Sequence, residues 1–323
     1  MAGFTPYVFE SSVNTPAFTP GCGTFTYIGQ EFTYATNPVI SLTARAKGTA
    51  PAYGNKTDNY TGNFFKLTDA KLLSSGSKTY SVAAGSLDLG KVMLLATDPV
   101  ITNNSDGTAT LTFNDGGGIA FNRGSPEDPF DADIALSINV LDEDDVFAGN
   151  ADGTTANPLS FGTATTGISF GGNKEQRWGR LLLENAFGSE LLPLEIPIRA
   201  EYQSSGDFIA NSDDNCTSYD GSNITFSNAN GVTIGVNLTA SGNGTLINGV
   251  DDDANSLIIT NTLNEIGNVK VTHSTNFWLK YDVNGVDDDV PPDGDLYDDN
   301  PEATATWGIF KGPNEFIYIR EPW

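Results

Sequence analysis

Apolar and polar residues alternate most regularly between residues 192 and 202. The even positions hold Leu192, Leu194, Ile196, Ile198, Ala200 and Tyr202, and the odd positions hold Pro193, Glu195, Pro197, Arg199 and Glu201. Successive side chains of a strand point to opposite faces, so this alternation predicts a half-buried β-strand. Because the two prolines lack N–H groups on the same side, we expect this strand to lie at a sheet edge.

A partner strand is predicted just upstream, at residues 180–184. Residues 185–189 would form the turn between the two strands, since Gly188 can adopt positive φ. The alternative is a helix over residues 176–192, which the glycines at 179 and 188 disfavour.

Short apolar–polar runs between Gly, Asn and Asp turns fill most of the remaining sequence. The candidate strands are 40–46, 60–67, 80–82, 91–95, 109–113, 134–140, 232–239, 257–260, 268–272, 276–281 and 303–309, and a terminal hairpin would pair 307–311 with 316–320. No run has the length and period of an ordinary α-helix. The predicted fold class is all-β, with antiparallel β-sandwich modules of immunoglobulin-like type and long loops rich in Gly, Asn and Asp.

The chain length of 323 residues suits two or three such modules. We expect an extended leader or edge strand at residues 1–21, a first module at 22–140 and a second module at 174–323. Residues 141–173 are predicted to be a linker or loop, because acidic residues and then Gly, Asn and Thr dominate there.

The charge is strongly negative, since 41 Asp and Glu residues against 16 Lys and Arg give a net charge of −25. Such a surface repels phosphates and anionic lipids, so we expect no nucleic-acid partner. It favours divalent cations, a basic partner or simple solubility in salty water. No run of 18 apolar residues occurs, so we expect no membrane insertion. The first residues also lack the basic and apolar segments of a signal peptide.

The chain has two cysteines, Cys22 and Cys216, which lie 194 positions apart in polar surroundings. We interpret them as one long-range disulfide formed in an oxidising compartment. An exported protein, located outside the cell or at its surface, is therefore expected. The alternative is a pair of unpaired thiols.

Acidic residues are densest between positions 282 and 299. Calcium binds six to eight oxygen atoms, which clustered Asp with Asn and Gly turns can supply, and a cation would relieve the repulsion between the carboxylates. The candidate ligands are Asp282, Asn284, Asp287, Asp288, Asp289, Asp293 and Asp295. The alternative is a solvated acidic hairpin tip, and the smaller clusters at 142–145 and 251–253 are weaker metal candidates, more typical of solvated turns.

No catalytic constellation stands out. His273 is the single histidine, and its strand parity favours a structural or surface role. Neither a G-x-S-x-G nucleophile motif nor a phosphate-binding loop occurs. A glycosidase with two carboxylates stays an alternative, because 41 acids are present and two suffice. We expect no enzyme.

Candidates for a carbohydrate-binding face are Trp178, Trp278, Trp307, Trp323, Tyr219, Tyr281 and Tyr297, of which Tyr297 should be the most exposed.

Several segments carry a family resemblance. They are RWGRLLLENAFGSELLPLEIPIRAEY at 177–202, DDNCT at 213–217, CGTFTYIGQ at 22–30, FWLKYD at 277–282 and ATWGIFKG at 305–312. The chain resembles the C-terminal domain of unknown function in MshQ-like proteins, which are encoded with the mannose-sensitive haemagglutinin type IV pilus. The resemblance spans residues 22–323 and implies a pilus setting, but no activity. The lectin-like domain that often precedes this region in such proteins has no counterpart here.

The leading hypothesis is a non-enzymatic extracellular module for adhesion or assembly of a bacterial type IV pilus or cell-surface system, with calcium as a candidate stabilising cofactor. Its partners would be minor pilus subunits or a surface glycan or protein. One alternative is a passive structural spacer without a ligand of its own. Another is a glycan-binding or glycan-active protein.

Overall fold

The computed structural model describes residues 5–74, 78–93, 99–251, 255–282 and 297–308. The described chain is nearly all β, as predicted, and most strand pairs are antiparallel. The chain divides into two compact units, residues 1–178 and residues 179–323, which we call the first and second unit.

The first unit contains twelve described strands and two short helices. They are β1 (Val8–Val13), β2 (Ala17–Thr19), β3 (Thr26–Tyr27), β4 (Thr33–Thr36), β5 (Val39–Arg45), α1 (Asp69–Ser74), β6 (Thr79–Val82), α2 (Leu89–Met93), β7 (Val100–Asn103), β8 (Thr108–Thr112), β9 (Phe130–Asp131), β10 (Ile134–Ile138), β11 (Leu159–Phe161) and β12 (Glu175–Arg177), with a 3-10 turn at Gly62–Phe64. The largest sheet has the order β1-β5-β8-β7, and smaller sheets are β11-β10-β6, β3-β12-β9 and β2-β4.

The predicted alternation in β5 is confirmed, because Ile40, Leu42 and Ala44 are buried while their neighbours are more exposed. Strand β1, from the segment predicted as a leader or edge strand, lies at the edge of the largest sheet and pairs with β5. The segment 141–173, predicted as a linker or loop, is part of the first unit and contains β11, which pairs with β10.

Two strand predictions in the first unit are wrong. Residues 60–67 contain the 3-10 turn, and residues 91–95 begin within helix α2. The cause at α2 is a local cap: the Asp88 carboxylate accepts a hydrogen bond of 2.8 Å from the Gly90 N–H and a longer one from Lys91. A side chain that satisfies the first free N–H groups of a helix favours its start there.

The second unit contains twelve described strands. They are β13 (Gly179–Leu183), β14 (Ala186–Gly188), β15 (Leu194–Ile196), β16 (Ile198–Ser204), β17 (Asp207–Ala210), β18 (Ser218–Asp220), β19 (Ile224–Asn230), β20 (Leu238–Ser241), β21 (Asn243–Thr245), β22 (Leu257–Asn261), β23 (Gly267–His273) and β24 (Glu302–Trp307), with 3-10 turns at Gly221–Asn223 and Phe277–Leu279. Their sheets have the orders β13-β16-β17, β14-β24-β23-β19, β15-β22-β20 and β18-β21.

The alternating segment 192–202 forms two strands that join different sheets. β15 pairs with β22, whereas β16 pairs with β13 and β17, and Pro197 lies between them. Proline cannot donate a ladder hydrogen bond, so the chain leaves one sheet there and enters the next. The edge position is confirmed for β15 but wrong for β16, which is central in its sheet.

Three further predictions in the second unit need correction. The segment 276–281, predicted as a strand, contains the 3-10 turn at Phe277–Leu279. The predicted terminal hairpin lies outside the described residues from position 309 onward. The segment 185–189, predicted as a turn, contains β14, which runs parallel to β24. The apolar–polar run at 232–239 is irregular up to Leu238, and Val236 is 90% exposed. In this loop the Glu265 carboxylate accepts hydrogen bonds from the backbone and hydroxyl of Thr233, and Gly235 adopts φ of +131°. A strand cannot continue through that backbone conformation.

Candidate binding surface of the second unit

Of the seven candidate calcium ligands, only Asp282 lies within the described residues. Asn284, Asp287, Asp288, Asp289, Asp293 and Asp295 lie outside them. The two ends of this acidic segment are joined, because the Tyr281 N–H donates a 3.0 Å hydrogen bond to the Asp299 carbonyl. The rings of Tyr281 and Tyr297 also lie 6.1 Å apart.

Arg180 packs between two aromatic rings, one of which is Tyr281 at the start of the acidic segment. The Arg180 guanidinium carbon is 3.8 Å from the centre of the Phe208 ring and 4.7 Å from that of Tyr281. Arg180 also donates hydrogen bonds of 2.9 and 2.6 Å from Nε and Nη2 to Oε2 of Glu201. The sequence places them together because Arg180 on β13 lies directly opposite Glu201 on β16.

The buried Glu201 carboxylate serves a second arginine as well. Arg199 Nε lies 2.8 Å from Glu201 Oε1, an ion pair without hydrogen-bond alignment, and Arg199 Nη1 lies 2.7 Å from Glu184 Oε1. Two acids and two arginines thus form one chain of ion pairs across β13 and β16. This network balances charge within the sheet, so we assign Arg180 and Glu201 a structural role.

Asp142, from a weaker metal candidate in the first unit, is fully buried and not a solvated turn residue. Its Oδ1 accepts hydrogen bonds from the backbone N–H groups of Asp144 and Val146, and its Oδ2 accepts one of 2.7 Å from the Tyr60 hydroxyl. Burial raises the pKa of Asp142, and these three hydrogen bonds oppose that shift. The Asp142 carboxylate thus holds the backbone of residues 144–146 and the Tyr60 side chain in place, which is a structural role.

Both cysteines are disulfide-bonded. Since the chain has only two, the bond joins Cys22 to Cys216. Near Cys216, the buried Asp214 carboxylate accepts hydrogen bonds from the N–H groups of Cys216 and Thr217 and from the Thr217 hydroxyl. Asp commonly closes such turns through its own side chain, which explains the shape of the DDNCT segment.

His273 is a buried structural residue at the end of β23. Its Nε2 accepts a long hydrogen bond of 3.4 Å from the Asp220 N–H, and Nδ1 has no hydrogen-bond partner among the described residues. Burial lowers the pKa of the imidazole, and the nearby Asp220 carboxylate offsets part of that shift. Neither ring nitrogen makes the serine or carboxylate hydrogen bond of a catalytic triad within the described chain.

Three of the seven aromatic residues proposed for carbohydrate binding are core residues. Trp178, Trp307 and Tyr219 are buried, whereas Trp278, Tyr281 and Tyr297 are half-buried. Trp323 lies outside the described residues. Tyr297, predicted to be the most exposed of these residues, is half-buried, and its ring lies near that of Tyr281.

A groove that the sequence reasoning missed lies at the β14 edge of its sheet. It has a volume of about 780 Å³ and is lined by Phe187, Gly188, Ser189, Glu190, Ile266, Thr306, Trp307 and Gly308. Phe187 and Ile266 are 67% and 58% exposed, while Trp307 is a buried part of the lining. The groove is mostly apolar, and Glu190 is the single ionisable group among its described lining residues.

The groove arises from segments that are distant in sequence. β14 aligns Ala186, Phe187 and Gly188 with Ala305, Thr306 and Trp307 of β24, and the Asn185 side chain accepts a 2.7 Å hydrogen bond from the Thr304 N–H, 119 positions away. β23 brings the preceding Ile266 to the same end, because Gly267 pairs with Trp307. No local periodicity signals such an arrangement.

These features define an all-β protein of two compact units with a disulfide and an open apolar groove. A family model described as DUF6701, third domain, matches residues 3–167, and one described as DUF6701, fourth domain, matches residues 177–322. The chain therefore belongs to the DUF6701 family. No curated protein matches it.

One solved structure with similarity to this chain is that of the Yersinia pseudotuberculosis adhesin InvE. The sequence identity is 14%, the TM-score is 0.25, and the alignment covers 94% of this chain and 60% of that chain. Within the part of the chain that the structure describes, no helix is long and apolar enough to cross a membrane.

Proposed function

We propose that this chain is a non-enzymatic binding module of a bacterial surface system, acting outside the cell in adhesion or in assembly of an appendage such as a type IV pilus. The observation that carries the proposal is the groove beside β14, an open apolar surface on a strongly acidic protein. Exposed apolar grooves of this size commonly mark ligand or protein interaction sites.

The lining of the groove favours binding over hydrolysis. Glu190 is the single carboxylate among the described lining residues. A glycosidase needs two carboxyl groups, about 5–9.5 Å apart, on either side of the bond that it cleaves. A surface with one acid and several apolar side chains can hold a partner, but it offers no acid–base pair.

The external location is supported by the disulfide, because such bonds persist in oxidising compartments. The pilus setting is supported by the resemblance of residues 177–202 and 213–217 to MshQ-like proteins. The acidic charge also suits a soluble surface protein that meets a basic partner.

Calcium binding by the segment that begins at Asp282 is a second part of the proposal. The hydrogen bond from the Tyr281 N–H to the Asp299 carbonyl brings the two ends of the acidic segment together, and the segment is rich in the oxygen ligands that calcium binds. A thermal melt in millimolar calcium, in magnesium and in excess chelator tests it. Saturation at about 100 times Kd adds about 2.7 kcal/mol to the free energy of unfolding. Equal melting temperatures in all three solutions would remove calcium from the proposal.

The functional test is made in the source bacterium. Deletion of the coding region is expected to reduce attachment or the number of surface appendages. A passive spacer is the competing function, and it predicts that Ile266→Asp, which alters only the groove, leaves both unchanged. We expect this substitution to reproduce much of the deletion defect. The matched change Ile247→Asp, at a residue 50% exposed and outside the groove lining, should not.

A further inference from the structure

We infer that the second unit binds an uncharged oligosaccharide with N-acetyl groups on the outer face of the sheet β14-β24-β23-β19, which is the face that carries Phe187 and Asn268. This inference rests on the proposed function and names the ligand class for the groove and for a polar cleft beside it. Three observations support it: the exposed ring and apolar groove at one end of the face, the free amides along it and its balanced charge.

Strand pairing determines which side chains share the outer face. One row of directly paired residues is buried on the inner side of the sheet: Ala186, Ala305 and Val269. The next row along the strands consists of Phe187, Thr306 and Asn268, and it faces outward because successive side chains of a strand alternate. With strands about 4.8 Å apart, Phe187 and Asn268 are separated by about 10 Å, which is wider than one pyranose ring. The row therefore suits an oligosaccharide.

A polar cleft lies on the same face beside the apolar groove. Its volume is about 410 Å³, within the range of about 300–1,000 Å³ that is common for small-ligand sites. Its lining is mostly polar and includes Asn185, Asn228, Asn268, Lys270, Glu302 and Thr304. The side-chain amides of Asn228 and Asn268 make no hydrogen bond to another described residue. An amide both donates and accepts, as a sugar hydroxyl does, so these two groups match such a ligand.

The charge of this face favours an uncharged ligand. Lys270 and Glu302 form an ion pair of 2.6 Å, so the charged groups of the cleft balance each other. In the apolar groove, Glu190 is the single ionisable group among the described lining residues. The net charge of −25 repels anionic glycans, and one carboxylate offers little to a cationic one.

The apolar groove indicates the N-acetyl groups. The C–H groups on one side of a pyranose ring pack on an aromatic ring, and Phe187 exposes such a ring beside the groove. A plain hexose has no apolar substituent for the space between Phe187 and Ile266, whereas the acetamido methyl group of an N-acetylhexosamine can occupy it. The Thr306 hydroxyl in the same lining can hydrogen-bond to the acetamido group.

The test is a titration of the intact chain with two matched sugars, monitored by calorimetry and by NMR of amide signals. Chitotetraose carries an N-acetyl group on every ring, and cellotetraose has the same linkage without them. We expect chitotetraose to shift the amide signals of Phe187, Thr306 and Asn268, with a Kd at least about tenfold lower than that of cellotetraose. N-acetylglucosamine alone cannot span the row, so it should bind at least about tenfold more weakly than chitotetraose.

Variants test the two parts of the apolar end. Phe187→Ala removes the ring and Ile266→Asp places a charge in the groove, so each should raise the Kd of chitotetraose by about tenfold or more. Ile266→Asp should also remove most of the preference over cellotetraose. The matched changes Phe277→Ala and Ile247→Asp, at exposed residues outside both linings, should leave the Kd within about twofold. Thermal melts establish that each variant is folded.

The outcomes for the ligand and for the proposed function are separable. No shift at these three amides in about 10 mM chitotetraose, equal binding of the two tetrasaccharides or an unchanged Kd in Phe187→Ala would overturn the inference. If a deletion strain attaches poorly although the chain binds no chitotetraose, the proposed function stands without this ligand. A deletion strain with normal attachment and normal appendages would instead contradict the proposed function, whatever the sugar result.

Discussion

The ion-pair network of the second unit leads to an asymmetric stability prediction. Glu201 is the centre of the network, since its carboxylate meets both Arg180 and Arg199, whereas Arg180 has one carboxylate partner among the described residues. The Glu201 side chain is 6% exposed and that of Arg180 is 20% exposed, so solvent screens this pair only weakly. The perturbations are Glu201→Gln, which removes the central negative charge, and Arg180→Met, which keeps a long apolar side chain.

The magnitudes follow from what each change leaves behind. In Glu201→Gln two arginines face a neutral amide that can accept from only one of them, and breaking a buried ion pair in this way costs about 3–5 kcal/mol. Arg180→Met leaves Glu201 paired with Arg199. It removes the charge-assisted hydrogen bonds and the contact with the Phe208 ring, for a cost of about 2 kcal/mol.

The assay is urea unfolding of the intact chain followed by tryptophan fluorescence and by hydrogen exchange of the β13 and β16 amides. Glu302→Gln is the control, because the Lys270–Glu302 ion pair is more exposed and should contribute less than about 1 kcal/mol. If Arg180→Met destabilised the second unit as much as Glu201→Gln, the ring contacts and not the shared carboxylate would be the main stabilising element, and our reasoning would be refuted.

Three further predictions concern His273, Asp142 and the disulfide. His273 has a folded-state pKa below its unfolded value, so the unfolded chain takes up the proton first as pH falls. The free energy of unfolding should therefore decline below about pH 6.5, by at most about 1.4 kcal/mol per pH unit. This decline should be smaller in His273→Gln. Asp142→Ala should cost about 2–4 kcal/mol in denaturant unfolding, because it removes the acceptor of two backbone N–H groups, one of them buried, and of the Tyr60 hydroxyl. Asp142→Asn can still accept and donate, so it should cost under about 1 kcal/mol, and similar costs for the two variants would exclude the hydrogen-bonding role. Reduction of the disulfide should destabilise the chain by up to about 5 kcal/mol, and a melt unchanged by dithiothreitol would contradict that value.

The sequence was most informative where periodicity is local. Alternation predicted the buried faces of β5 and of residues 194–200, because a strand with one face in the core repeats every second residue whatever its partner. It could not tell which sheet each strand joins. The same unbroken pattern covers β15 and β16, yet Pro197 separates them into two sheets.

The candidate site was much harder to predict. β14 is three residues long, too short for a periodic signal, and its pairing with β24 joins residues 119 positions apart. Asp142 was assigned to an acidic turn, because nothing near it in sequence shows that the Tyr60 hydroxyl would meet its carboxylate in the core. Both errors come from long-range contacts, which composition and spacing do not encode.

The disulfide also determines which parts of the chain can bear tension. Because Cys22 is bonded to Cys216, a pull applied to the two chain ends passes from residue 22 to residue 216 through the sulfur atoms. Residues 23–215 are bypassed by that force. At about 3.4 Å per residue, they hold back roughly 650 Å of chain that cannot be extended while the bond is intact. In the adhesion role proposed above, this bond would limit how far the chain lengthens under tension, and its reduction would release that length.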